Sequence, residues 1–477
     1  MKCFKNYLCR REAAEWMIIM ENLYDLELEQ LIRPEGYHCE CGHEHKADMK
    51  YLKAGPGVIG CVAEGVKAIG GKNPLVVCGP NGLEAAGKRV CEVLKGEGIP
   101  YTLLVIPCEE GKMIEPSEYA TGSVALNLSL HKECDMIVAV GSGVINDTCR
   151  LVSNLAKMPY MIVGTAPSMD GYASSNSCME INNIKLTLFE HLPAGIICDT
   201  EIMAKAPMRM LHAGLGDMFA KFSALCEWRI AELANGEERC PQIAELMRRS
   251  LRKIVAGAGD ISSRSVDTVT SITEGLILSG LCIAYIGSSR PASGQEHYFS
   301  HCWEMMSIAR GEKADLHGIQ VGIGTLLTLK IYEYMKALRP SMEHARAAAK
   351  AFDRNAWAEN IQRVFGSTAD GIIAAAEATG RNDEAKRLAR AELIVNNWDK
   401  ILEIMQKELP AYDDIYQLMV KAGMPMDPAE IGYSVTDTID AFVCSRDVRD
   451  KYLLSSVLFD IGYLDDAAKW LRSEIDK

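Results

Sequence analysis

The sequence predicts a two-part architecture: an α/β layer built on a mostly parallel sheet over residues 1–199, followed by an all-α part over residues 200–477. Three observations predict it. Short apolar runs alternate with helical stretches through the first part, the pattern of a parallel sheet with helices on both faces. After about residue 200 the strand signals fade and long helical periodicity takes over. No flexible spacer separates the two parts, so they are expected to pack directly, with a ligand cleft between them.

Residues 1–33 read as one helix that ends before Arg33-Pro34. A polar cluster follows, His38-Cys39-Glu40-Cys41-Gly42-His43-Glu44-His45. Runs of strand length occur at Leu75–Cys78, Tyr101–Ile106, Met136–Val140, Tyr160–Val163 and Ile196–Cys198, with a helical stretch such as 83–95 between most of them. In the second part, helical periodicity covers 211–233, 240–255, 266–285, 295–309 and several segments from Met342 onward. The stretch 383–409 is rich in Ala, Glu, Lys, Arg and Leu, all good helix formers.

The 477 residues carry 48% hydrophobic and 24% charged side chains, ordinary for a globular core. A net charge of -13 argues against nucleic acid as the main partner, although a local basic patch could still hold a small anion. Many of the 17 cysteines sit inside apolar runs and read as reduced core residues. The apolar stretch near Met17–Met20 is flanked by Glu15 and Glu21, so it reads as neither signal nor membrane span. A cytoplasmic location without membrane attachment is expected.

The strand at 136–140 runs into Gly141-Ser142-Gly143 and then a helix with apolar positions at Val144, Leu151, Val152 and Leu155. Such a Rossmann-like turn brings unpaired N–H groups and the positive end of a helix to a pyrophosphate. By itself it is equally a plain strand-to-helix turn. The next strand ends in Gly164-Thr165-Ala166-Pro167-Ser168-Met169-Asp170-Gly171, which puts hydroxyls and a carboxylate where open α/β sheets bind ligands.

Three motifs stand out in the helical part: Gly214-Leu215-Gly216-Asp217, Ser289-Arg290-Pro291-Ala292-Ser293-Gly294-Gln295-Glu296-His297 with His301 beyond it, and Leu316-His317-Gly318-Ile319-Gln320-Val321-Gly322. One carboxylate and two imidazoles suit a divalent ion with open positions. Their separations of 80 and 20 residues form no local motif, and caps or satisfied polar residues explain them as well.

Taken in order, these segments resemble the bacterial branch of the sn-glycerol-1-phosphate dehydrogenases. These belong to the superfamily of glycerol dehydrogenase, iron-containing alcohol dehydrogenase and dehydroquinate synthase. The tail Met424-Pro425-Met426-Asp427-Pro428 and Val448-Arg449-Asp450-Lys451-Tyr452 is also similar, so the resemblance runs from about residue 39 to 465. It implies an N-terminal nucleotide domain, a C-terminal metal domain and an active site between them. It implies Asp217, His297 and His317 as ligands of one divalent ion, zinc or nickel. Gly79, Gly141, Ser142, Gly143, Asp147, Thr165 and Ser168 would bind NAD(P). Asp170 would hold a substrate hydroxyl and His301 would help carry the proton. For the substrate phosphate, Ser289, Arg290 and Ser293 are the candidates, with a bracing role for Arg290 as the alternative. The implied reaction is hydride transfer between NAD(P)H and dihydroxyacetone phosphate, in a homo-oligomer. The competing readings are an unphosphorylated polyol as substrate, a lyase on the same scaffold, and a catalytically silent binding protein.

The sequence departs from its relatives at four places. Gly79 stands where many carry an Asp that grips the ribose, so NADP is expected to be tolerated. Val144 replaces a Lys after the glycines, and Ile319 replaces a Glu after His317-Gly318. Lys221 stands where the iron-dependent enzymes have a further His ligand, which favours a three-ligand site. The cluster Cys39, Cys41, His43, His45 lacks the Cys-x2-Cys spacing of common zinc knuckles and is not expected to hold an ion.

Overall fold

Five apolar runs become strands of one six-stranded sheet, and the inner ones are enclosed because helices cover both faces. A computed structural model describes residues 22–108, 114–181 and 184–477. The strands are β1 (Tyr37–His38), β2 (Glu44–His45), β3 (Tyr51–Gly55), β4 (Pro74–Cys78), β5 (Thr102–Val105), β6 (Met136–Gly141), β7 (Tyr160–Gly164), β8 (Asn176–Ile181), β9 (Ile184–Phe189) and β10 (Gly195–Asp199). Six of them form a parallel sheet in the order β3-β10-β7-β6-β4-β5. The inner strands β4, β6, β7 and β10 are buried at every residue, which is why they read as continuous apolar runs. The edge strand β3, Tyr-Leu-Lys-Ala-Gly, has no such run and is not evident in the sequence. The antiparallel hairpin β8–β9 lies outside the sheet and was not evident either.

Helices α1 (Val62–Ile69), α2 (Lys88–Gly96), α3 (Glu118–Leu130) and α4 (Gly143–Ala156) accompany the sheet. The helix expected over 83–95 begins earlier, at Pro80, and passes through a π-helical turn at Leu83–Gly87 before α2. In the second part, α5 (Met208–Asn235), α6 (Pro241–Ala258), α7 (Val266–Ile286) and α8 (Gln295–Arg310) follow the periodicity closely, whereas α9 (His317–Lys336) lies outside the helical segments expected from the sequence. Further helices continue to Ile475, and the stretch 383–409 divides at Asn397 into Glu384–Asn396 and Trp398–Glu408. Helix α7 is long and apolar enough to cross a membrane, but it lies largely inside the molecule.

The single helix expected over residues 1–33 is corrected where the structure describes it; residues 1–21 lie outside the described residues. Residues 22–32 form two 3-10 turns, Leu23–Asp25 and Leu28–Ile32, separated by extended backbone at Leu26 and Glu27. Arg249 of α6 donates to the carbonyls of Tyr24 and Leu26 at 2.6 and 2.8 Å. A continuous helix would have spent those carbonyls internally. Leu23, Leu26 and Leu31 are buried against the helical part instead.

One close backbone approach joins the two parts, and two more join helices of the second part. A Cβ on Gly214 would lie 1.8 Å from the carbonyl oxygen of Pro167, so only glycine lets α5 lie against the loop after β7. A Cβ on Gly318 would lie 1.9 Å from the Ala213 carbonyl oxygen, and one on Gly216 would lie 2.3 Å from that of Gly318. The glycines of Gly-Leu-Gly-Asp and His-Gly thus let α5 and α9 touch backbone to backbone. That contact sets Asp217 and His317 on adjoining helices beside the C-terminal ends of β6 and β7.

Candidate active site

Helix α5 presents Asp217 from its buried interior, and every oxygen of that carboxylate is used. Oδ2 accepts from the backbone N–H of Asp170 at 3.0 Å, and Oδ1 accepts from Lys221 Nζ at 2.8 Å. Lys221 stands one turn along the same helix, an i,i+4 pair. It also donates to Asp170 Oδ2 at 2.8 Å, and Ser279 Oγ donates to that same oxygen at 2.8 Å. Asp170, Lys221 and Asp217 therefore form a continuous chain in which Asp170 Oδ1 is left for another partner. Burial opposes charge on Lys221, but the carboxylates of Asp170 and Asp217 outweigh it and hold the ammonium above its ordinary pKa. Burial likewise opposes ionisation of Asp217, and the Lys221 charge followed by His297 outweighs it, so the carboxyl lies below its ordinary range.

Helix α8 starts at Gln295 after Gly294 and carries His297 in its first turn. His297 Nε2 lies 3.5 Å from Asp217 Oδ1. Its Nδ1 lies 2.9 Å from Glu296 Oε1, which accepts the ring N–H and so turns the Nε2 lone pair toward Asp217. Glu296 is itself fully buried and accepts from Ser223 Oγ and Gly294 N–H, both at 2.6 Å. His317 is the first residue of α9, and its ring lies 5.3 Å from that of His297. Ser300 Oγ lies 3.0 Å from His317 Nδ1. His301 stacks on His317 at 6.0 Å, and Glu304 sits 3.7 Å from the Nδ1 of both rings. Burial first, and then the charge of Arg449, holds His301 below its ordinary pKa.

The donor set fits a divalent ion. His297 Nε2 lies 3.5 Å from Asp217 Oδ1, the His317 ring lies 5.3 Å from that of His297, and each imidazole has a partner at its other nitrogen, as ligating histidines usually do. Lys221 occupies the helical turn after Asp217, so that turn offers an ammonium and no further ligand.

The nucleotide candidates line the ends of β6 and β7. Gly141 ends β6, Ser142 precedes α4, and Gly143 begins it, so the first N–H groups of α4 have no partner within the helix. Thr165 N–H donates to the Gly141 carbonyl at 3.0 Å, which ties the two strand ends together. Ser168 is buried in the loop beyond, and Thr165 is partly exposed. Gly79 follows β4, and any Cβ there would meet Ile114 Cδ1 at 2.5 Å. Asp147 sits apart from this group in its bonding: it pairs with Arg150 at 3.0 Å and accepts from Cys178 N–H at 3.1 Å, bracing α4 against β8.

The three phosphate candidates are tied into a brace below α8. Arg290 is buried, with Nε and Nη2 on the two oxygens of Glu237 and Nη1 on the Tyr452 carbonyl. Lys451 Nζ donates to Ser289 Oγ at 2.8 Å and to the Ser293 carbonyl at 2.9 Å. Glu296, Ser300 and Arg449 escaped sequence reasoning. Glu296 could have been found, because it adjoins His297 in a motif already singled out.

Comparison with known proteins gives a consistent picture. The family model described as iron-containing alcohol dehydrogenase matches residues 53–207. The NAD(P)+-linked glycerol-1-phosphate dehydrogenase of Halalkalibacterium halodurans is 32% identical over 296 residues, 62% of this chain and 74% of the relative. The enzyme of the same name from Geobacillus stearothermophilus is 26% identical over 427 residues, covering 89% of this chain and 94% of the relative. That of Methanosarcina mazei is 32% identical over 279 residues, covering 57% and 73%. Among solved structures, glycerol dehydrogenase from Schizosaccharomyces pombe aligns over 91% of this chain and 94% of its own, with a TM-score of 0.55 and 14% identity. A probable glycerol dehydrogenase from Sinorhizobium meliloti aligns over 89% and 98%, with a TM-score of 0.55 and 16% identity. The structural likeness gives the fold, a parallel sheet followed by a helical part, and the sequence relatives give the family: this chain belongs to the glycerol-1-phosphate dehydrogenases.

Proposed function

We propose that this protein is a metal-dependent oxidoreductase that interconverts dihydroxyacetone phosphate and sn-glycerol 1-phosphate with NAD(P)H. The observation that carries the reading is the meeting of Asp217, His297 and His317 beside Asp170, at the C-terminal ends of β6 and β7, in a member of this family. An ion held by these three residues, zinc or nickel, would polarise the oxygen on the reacting carbon, and a nicotinamide would exchange the hydride. The remaining work falls to the chain itself. The open amides of Gly143 and its neighbours hold the pyrophosphate. Asp170, fixed by Lys221 and Ser279 through Oδ2, accepts a substrate hydroxyl on Oδ1. His301, beside His317 and Glu304, passes the proton through its Nε2.

The test is a substrate panel. Purified protein, loaded with zinc or nickel, is expected to oxidise NADH with dihydroxyacetone phosphate and not with dihydroxyacetone, and chiral analysis should return sn-glycerol 1-phosphate. Equal turnover of the unphosphorylated ketone would overturn the substrate assignment. With Gly79 carrying no charge, KM for NADPH should fall within about tenfold of that for NADH.

For the phosphate, the structure favours a bracing role for Arg290 over contact with substrate, and we assign the contact to Arg449. Arg449 is exposed, donates to Thr187 Oγ1 at 3.4 Å, and its charge reaches His301. Arg449→Ala is expected to raise KM for dihydroxyacetone phosphate by about tenfold or more, the loss of one charged hydrogen bond. Arg290→Ala should leave that KM nearly unchanged and cost about 2 kcal/mol of stability, because Glu237 loses its fork of donors. The opposite pattern in the two KM values would return the role to Arg290.

A further inference from the structure

Outside the active site, one group of side chains has the composition and spacing of a metal site. Cys39, Cys41, His45 and Cys240 place their ligand atoms within 4.8 Å of one another. Cys39 Sγ lies 3.6 Å from Cys240 Sγ, and His45 Nε2 lies 3.4 Å from Cys41 Sγ and 3.3 Å from Cys240 Sγ. A tetrahedral zinc ion with ordinary bond lengths requires sulfur–sulfur edges of about 3.8 Å and sulfur–nitrogen edges of about 3.5 Å. The observed edges are those values to within a few tenths of an ångström.

Each ligand is held in place by its own element. Strands β1 and β2 form a small antiparallel hairpin whose turn, with Gly42 at φ +87°, folds Cys39 and Cys41 back over His45. Cys39 N–H donates to the His43 carbonyl at 3.1 Å, and Gly42 N–H to the Cys39 carbonyl at 3.0 Å. His45 is fully buried, and its Nδ1 lies 3.2 Å from the Tyr285 carbonyl. That carbonyl can only accept, so the proton sits on Nδ1 and the Nε2 lone pair faces the sulfurs, the outer-sphere arrangement of ligating histidines. Cys240 stands at the N-cap of α6, where the positive end of the helix favours a thiolate. His43, the other histidine of the sequence cluster, is exposed and pairs with Glu238 at 3.0 Å. Cys240, 195 residues beyond His45, takes the fourth place. A cleft of about 850 Å³ lined in part by Cys41, His45 and Cys240 gives an ion a path from solvent.

We propose that Cys39, Cys41, His45 and Cys240 bind a second, structural zinc ion that pins the N-terminal hairpin to α6 and α7. Four protein ligands close the coordination shell and leave no position for substrate, which separates this site from the catalytic one. Loading exchanges three thiol protons, released to solvent, for one divalent ion, and leaves three thiolates and one imidazole around it. The proposal does not depend on the reading of the active site.

The experiment compares the full-length protein with Asp217→Asn and Cys240→Ala after loading with zinc and removal of unbound metal. Elemental analysis is expected to give two ions per chain in the parent and one in each variant. Replacement of zinc by cobalt should give a sulfur-to-cobalt charge-transfer band in the parent and in Asp217→Asn. The band should be absent from Cys240→Ala, because the catalytic ligands include no sulfur. The parent spectrum stands by itself should Cys240→Ala fail to fold. Cys41→Ser should keep the parent kcat while its unfolding midpoint falls by roughly 5 °C or more. A parent that retains one ion, lost in Asp217→Asn, with no sulfur-to-cobalt band, would overturn the proposal. So would a Cys39–Cys240 disulfide as the isolated form under anaerobic conditions.

Discussion

Asp217→Asn is expected to lose at least about 10³-fold in kcat/KM, equivalent to about 4 kcal/mol of transition-state stabilisation. The shape of the side chain survives, so the loss isolates charge and hydrogen bonding. Both carboxylate oxygens face donors, the Asp170 N–H on one side and Lys221 Nζ on the other. An amide can satisfy only one of these, and its NH2 group must point at the other. The site therefore loses a ligand charge and gains a donor facing a donor, in a position with no solvent to relieve it. Glu296→Gln provides the contrast. It leaves Asp217, His297 and His317 intact but removes the charge that orients His297 through Nδ1. Metal affinity should fall by about 10- to 100-fold, with activity recovered when the metal is raised. A metal titration of kcat/KM separates the two: recovery in Glu296→Gln and none in Asp217→Asn. Parent-like rates in Asp217→Asn would remove this carboxylate from the chemistry altogether.

What could be read from the chain, and what could not, follows from how far each signal travels. The strands of the sheet centre announce themselves because both faces are covered, so every residue of β4, β6, β7 and β10 is buried. The edge strand β3 needs no such run, and its Lys53 reaches Glu29 at the surface. The hairpin β8–β9 does carry an alternation, Ile184, Leu186 and Leu188 against Lys185 and Thr187, that a period-two reading could have found. Residues 22–32 have helical composition, yet their carbonyls go to Arg249, a tertiary bond that no local rule contains. At the site, Asp217, His297 and His317 are too far apart in the chain for spacing to join them, and only the family resemblance did so. The Cys-x-Cys segment lacks the spacing of a common zinc knuckle, and the residue that completes the proposed ligand set, Cys240, lies 195 residues beyond His45, out of reach of any local motif. Lys221 is the subtler case. Its i,i+4 relation to Asp217 is plain in the sequence, but the bond to Asp170 reaches the loop after β7, 51 residues away.

Lys221→Met should have the second-largest effect, and it should depend on the metal. The substitution keeps most of the volume of a fully buried side chain and removes its charge. Asp170 Oδ2 and Asp217 Oδ1 then lose the cation that bridges them at 2.8 Å each. In the metal-free protein, two carboxylates share a buried site with no counter-charge, a cost of about 3–5 kcal/mol. A bound divalent ion replaces part of that missing charge, so the penalty should shrink when metal is present. Activity should still fall by about 10²-fold, because Asp170 loses its anchor to α5 while Ser279 alone holds it. Thermal unfolding with and without zinc, together with kcat, reads both effects. An equal loss of stability in the two states, with kcat unchanged, would reduce Lys221 to a packing residue. A smaller loss with metal than without, and a lowered kcat, would place it as the positioning residue that keeps Asp170 aimed at the substrate and Asp217 ionised beside its partner imidazoles.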